Sequence, residues 1–238
     1  MIKYKALLFG SIGTIVETSE IQRKSFNSAF NIAGLKWNWT KEIYKNLLNK
    51  SGGEERILRY AKQTKSNVNS KNIRKLKTKI FNRYLKKNKL KLRPGVKEII
   101  KYSKKNQIKL ALVTSTTLDN INSIFFCLRE NLNKRDFNFI GNSTLVKKSK
   151  PSAEIYKLAL KKLRLSPNEC IAIEDTQESL NSAIKAKLKC FIFPGKFHRS
   201  KKFNGAFKEI NKINKNILNF KFQGRTTGTN HYYKIFFQ

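Results

Sequence analysis

The stretch Lys5-Ala6-Leu7-Leu8-Phe9-Gly10-Ser11-Ile12-Gly13-Thr14 decides the fold. A short apolar run that stops at a glycine reads as a buried strand, here the central one of a parallel sheet. The residues after Gly10 then form the loop at the strand's C-terminal end, the place where open α/β sheets hold their ligands. That loop lacks something. No Asp or Glu occurs between Lys3 and Val16.

Working outward, helical spacing predicts four helices before any second strand. Ile21, Phe26, Ala29, Phe30 and Ala33 line one side of residues 17–33, with Gly34 as the C-cap. Thr40 caps a helix over 41–48, Ser51-Gly52-Gly53 turns into one over 54–63, and Ser70 caps one over 71–87. Pro94-Gly95 opens a new section of helix, strand and helix in alternation. Its strands are expected at 110–113, 137–140, 170–173 and 190–193, and its helices at 95–104, 118–132, 153–163 and 176–186. The fold class is therefore α/β, a Rossmann-like parallel sheet core with an inserted four-helix cap. The core is assigned to residues 1–16 and 89–222, the cap to 17–88, and an irregular tail to 223–238.

Composition narrows the class. The 238 residues are 39% apolar, enough for a sizeable core, and no apolar run approaches the ~20 residues of a membrane helix. Met1 directly precedes the first strand, so no leader is expected. Cys127, Cys170 and Cys190 are too widely spaced for a metal or disulfide framework and read as small buried residues of a reducing compartment. The net charge is +36, carried by 51 basic residues of which 11 are Arg. The lysines spread over nearly every predicted helix, Asn, Ile and Phe are also abundant, and no nucleic-acid motif accompanies them. An AT-rich genome accounts for this better than a nucleic-acid surface, which clusters its charge. A plastid, a nucleomorph-bearing compartment or the cytoplasm of such an organism is the expected location, and a monomer the expected state.

Four loops meet at the C-terminal edge of such a sheet: 10–14, 114–117, 147–151 and 174–175. Thr114 offers a hydroxyl to a phosphoryl oxygen and Lys150 offers charge. Asp175 offers a hard oxygen for Mg²⁺. A phosphorylated small molecule is the implied ligand.

The chain resembles the haloacid dehalogenase-like superfamily, in the β-phosphoglucomutase-type subgroup with a helical cap, and within it the CbbY-type xylulose-bisphosphate phosphatases. The resemblance covers about residues 3–210. It rests on Gly13-Thr14-Ile15-Val16-Glu17-Thr18, Gly34-Leu35-Lys36-Trp37-Asn38-Trp39 and Gly52-Gly53-Glu54-Glu55-Arg56-Ile57. It continues through Arg93-Pro94-Gly95-Val96, Leu112-Val113-Thr114-Ser115-Thr116, Lys148-Ser149-Lys150-Pro151, Ile173-Glu174-Asp175-Thr176 and Phe203-Asn204-Gly205-Ala206.

The resemblance implies a Mg²⁺-dependent phosphatase whose first loop carries two aspartates, a nucleophile and an acid/base. Here those positions are Gly10 and Ile12. It further implies phosphate contacts at Thr114 and Lys150, a substrate contact from the cap at Arg56, and metal ligation by Asp175 with Glu174 behind it. The backbone carbonyl of Ile12 is a remaining candidate ligand. Ser11, by strand alternation, is expected to point away from the site. Gln22 stands where mutases carry histidine, Glu54 replaces a cap lysine, Lys187 replaces a glycine, and Glu17 and Glu20 belong to the hinge. His198 and His231 read as surface residues. The expectation is a degenerate phosphatase, inactive or nearly so, that keeps a phosphate and magnesium pocket. Two alternatives stand beside it: a working Mg²⁺-dependent sugar phosphatase, and a basic RNA- or polyanion-binding module on a dead enzyme fold. A second carboxylate reaching beside Gly10 next to a metal would overturn the expectation.

Overall fold

The computed structural model describes residues 4–48, 52–87, 90–198 and 202–219. The strands among them are β1 (Ala6–Phe9), β2 (Lys109–Val113), β3 (Phe139–Gly141), β4 (Cys170–Glu174), β5 (Lys189–Ile192) and β6 (Lys208–Glu209). They form one parallel sheet in the order β3-β2-β1-β4-β5-β6, so the strand opening the chain lies at its centre. The expected α/β class and parallel core are observed. β6 is an addition. It is two residues long, too short to leave an alternation pattern, and it is held by Phe207 N–H to Cys190 O and Ile210 N–H to Ile192 O.

Strand alternation gives the sheet two apolar faces. Leu7, Phe9, Leu110, Leu112, Ile171 and Ile173 point to one face, where they meet Val96, Ile99 and Ile100 of α5 (Val96–Lys105). Ile121, Ile124 and Phe125 of α6 (Leu118–Leu128) join them there. Ala6, Leu8, Ala111, Val113, Cys170 and Ala172 point to the other face, under Ile155, Tyr156 and Ala159 of α7 (Glu154–Leu163) and Leu180 and Ala183 of α8 (Gln177–Lys185). Each large side chain fully buried this way stabilises the fold by roughly 1.5–3 kcal/mol. Helix α6 stops at Leu128, short of the expected 132. Asn133 and Asp136 form a capping box that starts a separate turn at 134–136.

The four remaining helices lie between β1 and α5: α1 (Ser19–Ile32), α2 (Lys41–Leu47), α3 (Gly53–Gln63) and α4 (Ser70–Lys87). They enclose their own cluster around Phe26, Phe30, Trp39, Tyr44, Ile57 and Ile73. Trp39 is fully buried, with its ring 4.7 Å from those of Phe26 and Phe30. Thr40 caps α2 through Ile43 N–H at 3.2 Å, as expected. Ser70 is not a cap but the first helical residue, and Asn69 accepts from Asn72 N–H at 3.0 Å in its place.

The chain leaves and re-enters the sheet layer through one antiparallel bridge, Val16 to Leu92. Arg93 locks that hinge. Its guanidinium donates to the carbonyls of Gly13 (2.6 Å), Phe193 (2.7 Å) and Pro194 (2.7 Å) and lies on the Phe193 ring. Glu17 joins from the other side, accepting from Ser19 N–H and Lys196 N–H.

Two smaller expectations change, for His198 and Cys127. His198 is buried, at 6% exposure, because its loop folds back through its own N–H to Gly195 O. Cys127 is half-buried on α6, whereas Cys170 and Cys190 are buried. Lys187 sits at φ 62°, a left-handed position that glycine takes without strain. No helix among the described residues is long and apolar enough to cross a membrane. His231 and the tail assigned to 223–238 lie outside the described residues.

Candidate active site

Register brings Gly10 and Glu174 together. β1 pairs with β4 so that Leu8 opposes Ala172 and Phe9 opposes Ile173. Gly10 and Glu174 come next, on the face of Leu8 and Ala172. A Cβ on Gly10 would fall within 3.0 Å of Glu174 Oε1 and of the Tyr156 hydroxyl, closer than real Cβ atoms pack. The Glu174 carboxylate thus fills the space beside Gly10. It was expected behind Asp175. It lies beside Gly10 because it ends β4 on the Gly10 face.

Glu174 is 0% exposed and Lys150 6%. Lys150 Nζ donates to Glu174 Oε1 at 2.5 Å and to the Gly10 carbonyl, and the Tyr156 hydroxyl donates to the same Oε1 at 2.7 Å. Glu174 Oε2 has no hydrogen-bond partner among the described residues. Burial pushes the Glu174 carboxyl up to about 7, assisted by the charge of Asp175 and opposed by Lys150. Burial first, and then Glu174, holds the Tyr156 hydroxyl well above its usual range. A second carboxylate does reach the gap, and its neighbour is an ammonium.

Ser11 corrects a second expectation. Its hydroxyl donates to Asp175 Oδ1 at 2.8 Å, so it faces the retained carboxylate. Strand alternation ends at Gly10. Ser11 is the extended residue that opens a tight turn at Ile12–Thr14, and the turn swings its side chain toward β4. Ile12 goes the other way, into the apolar cluster of β1 and α5. Its carbonyl accepts from Ile15 N–H (3.0 Å) and Val16 N–H (2.9 Å), so both lone pairs are engaged. Asp175 is half-buried, and its Oδ2 packs against Gly13. Thr114 follows β2 and is almost fully buried, and its Oγ1 accepts from Thr116 N–H at 3.2 Å.

These contacts test the Mg²⁺ implied by the resemblance. Mg²⁺ takes oxygen donors in near-octahedral geometry, usually one or two carboxylates plus waters. Gly10 supplies no carboxylate, and its carbonyl is taken by Lys150. Glu174 Oε1 is shared by two donors, Asp175 Oδ1 accepts from Ser11, and the Ile12 carbonyl is spent on its turn. No group of three His, Cys, Asp or Glu side chains that could hold a metal comes together among the described residues. Glu174 Oε2, buried with no hydrogen-bond partner among the described residues, and the Asp175 carboxylate are the oxygens that would hold such an ion.

The cap carries a separate group of cations. Arg56 is buried, its Nε donates to Leu47 O at 3.2 Å, and its guanidinium lies near the Phe26 and Tyr44 rings. Burial lowers its pKa, and the charges of Tyr44 and of Glu178, in the first turn of α8, act on it. Lys77 of α4 is buried beside it, over the Phe26 and Phe81 rings, and donates to Gln22 Oε1. Burial, then the charges of Arg56 and Arg74, lowers its pKa to about 7. Glu54 is turned away from these residues, toward Ser70 (3.4 Å) and Arg74 (3.5 Å). A basin of about 670 Å³ flanks the Lys150 loop, lined by Lys148, Ser149, Ser152, Glu154, Lys157 and Lys185 among others, and shares none of the core-site residues.

Sequence reasoning brought Thr114, Lys150, Glu174 and Asp175 to one sheet edge. It gave no role to Tyr156, Lys77 or Arg93. Tyr156 was findable, because it sits six residues past Lys150 on the helix that covers the Gly10 face.

Known proteins share this architecture. Residues 12–193 match the model of the haloacid dehalogenase-like hydrolase family. Protein CbbY of Cereibacter sphaeroides is 34% identical over 205 residues, spanning 85% of this chain and 89% of that protein. The CBBY-like protein of Arabidopsis thaliana is 30% identical, over 84% of this chain and 66% of that protein. The crystal structure of CbbY from Rhodobacter sphaeroides in complex with phosphate superposes with a TM-score of 0.81 at 33% identity, over 89% of this chain and 95% of that one. An aspartate-to-asparagine mutant of it, in complex with xylulose-(1,5)-bisphosphate, matches equally well. With the family model covering most of its length and a relative above 30% identity nearly end to end, the chain belongs to the haloacid dehalogenase-like hydrolases.

Proposed function

We propose that this chain is a CbbY-type protein that binds a phosphorylated sugar and does not turn it over by the phosphoaspartyl route. The observation that carries this is the filled space beside Gly10. A nucleophile must reach phosphorus, yet the carboxylate in that space is fully buried and tied to Lys150 and Tyr156. Ile12 faces the core and has no proton to transfer. Binding is supported by what is kept: the Thr114 hydroxyl and Lys150 at the strand ends, and the buried Arg56 and Lys77 in the cap. Buried cap cations of this kind suit the distal phosphate of a bisphosphate. The solved relatives with bound phosphate and xylulose bisphosphate support the same ligand class.

The test is an assay of phosphate release from xylulose-1,5-bisphosphate and other sugar phosphates in millimolar Mg²⁺, with calorimetry on the same ligands. Release should fall roughly 10³-fold or more below an intact family member, as expected when nucleophile and acid/base are both gone. Binding should persist, and Arg56→Ala should weaken a bisphosphate about tenfold more than a monophosphate. Turnover near that of the intact relative refutes the proposal, and so does absence of binding.

A further inference from the structure

Helix α4 is charged unlike its neighbours. Each of the other seven α-helices among the described residues carries an Asp or Glu in its first turn, and α4 carries none along its whole length. Eight of its 18 residues are Lys or Arg, against 51 of 238 in the chain. An AT-rich genome supplies lysine to every helix. It does not single out one helix for twice the share of cations and no acid.

The cations on α4 are also ordered. At 3.6 residues per turn, Lys71, Lys75, Lys79, Arg83 and Lys86 fall within about 120° of one another, in a row about 22 Å long. Ile73, Ile80, Phe81 and Leu85 are buried on the other side of the helix. All five cations are exposed, and none makes an ion pair among the described residues. Arg74, at the edge of the row, is the one that meets a carboxylate, Glu54 at 3.5 Å. Like charges four residues apart weaken a helix, and a first turn without an acid leaves its dipole uncompensated. The fold carries both penalties on this one face.

We propose that the outer face of α4 is a docking surface for the phosphate backbone of double-stranded DNA. Charge complementarity selects a polyanion, and shape selects among polyanions. The face is convex, and the major groove of B-form DNA, about 12 Å wide, admits a helix. The major groove of double-stranded RNA is too deep and narrow for one. A bilayer is flat and meets a convex arc along a single line. Single strands are held by stacking on exposed rings. Helix α4 offers none: Phe81 is fully buried, and the half-buried Tyr84 shares a hydrogen bond with Ser28 Oγ at 3.0 Å. Lysine and arginine in such a row address phosphates, so binding is independent of base sequence. The surface uses none of the residues assigned to the phosphorylated sugar.

The test is fluorescence anisotropy of a short DNA duplex titrated with the full chain over a range of salt. Each neutralised phosphate contributes about 0.9 to the slope of log K against log salt, so five cations contribute about 4.5. Changing Lys71, Lys75, Lys79, Arg83 and Lys86 together to Gln should reduce the slope by about 4. A control changes five exposed lysines of α1, α5 and α7 to Gln, namely Lys24, Lys101, Lys105, Lys161 and Lys162. It should reduce the slope by less than about 1. Equal losses in the two variants mean that the charge acts diffusely, and they overturn the proposal. So does tighter binding to double-stranded RNA or to anionic phospholipid vesicles at the same salt.

A second measurement needs no variant. The lysines of the wild-type chain are acetylated with and without duplex DNA and read by mass spectrometry. Lys71, Lys75, Lys79 and Lys86 should be protected several-fold more than Lys101, Lys105, Lys161 and Lys162. Uniform protection, or none, overturns the proposal.

Discussion

Among the described residues the core and the cap each bury one lysine, and they treat it differently. In the core, Lys150 meets a carboxylate, a carbonyl and the face of Tyr156. In the cap, Lys77 meets the neutral amide of Gln22 and the faces of Phe26 and Phe81, with Arg56 and Arg74 adding like charge. Both are nearly inaccessible to water. The difference lies in charge compensation: the core pairs its lysine with a carboxylate, and the cap surrounds its lysine with rings and an amide. In the core, Glu174 fills the space beside Gly10 and balances Lys150. In the cap, Lys77 faces a neutral amide and two aromatic rings, and Arg56 and Arg74 add like charge.

The largest expected break in that comparison is Glu174→Ala. It leaves Lys150 buried without a carboxylate and makes the core resemble the cap. The cost should be about 3–5 kcal/mol, read from urea unfolding. An effect under about 1 kcal/mol would mean that the pair contributes little and that water reaches Lys150.

Lys77→Met removes the imbalance from the other side. The folded chain releases the Lys77 proton near pH 7, and the unfolded chain releases it near 10.4. Between those values the unfolded state binds more protons, so stability falls as the pH is lowered through the window. The penalty is complete below pH 7 and absent above about 10.5. Lys77→Met should therefore raise stability at pH 6 by on the order of 2–4 kcal/mol, with the gain shrinking toward pH 10. A gain that does not change with pH would mean that Lys77 is charged in the fold throughout, with a compensating anion near it.

The smallest change sharpens the account of the core. Gly10→Ala adds one methyl where Glu174 and Tyr156 already sit. Overpacking of this kind should cost about 1–3 kcal/mol. A neutral result would show that Glu174 swings aside freely, and the space beside Gly10 would then be open to ligand.

Much of this was legible before any coordinates. The apolar run at Ala6–Phe9, the alternation after Pro94 and the helical spacing from Ile21 to Leu85 specify a parallel sheet with a helical insert. Periods of 2 and 3.6 survive whatever the elements later pack against. That Gly10 and Ile12 carry no ionisable side chain was equally plain, since it follows from residue identity. The period-2 rule also held a clue to Glu174, which shares a face with Gly10 once β1 and β4 are paired in register. The same rule misled at Ser11, because alternation stops where the strand becomes a tight turn.

The amino-acid sequence by itself determined the architecture, the family and the absence of a nucleophile at residue 10, because each is a property of residue type and spacing along one chain. Tertiary structure alone decided what replaced the missing group. Glu174 is 164 residues from Gly10 and Lys150 is 140, and which oxygen faces which nitrogen is set by strand register and by the helix that closes over them.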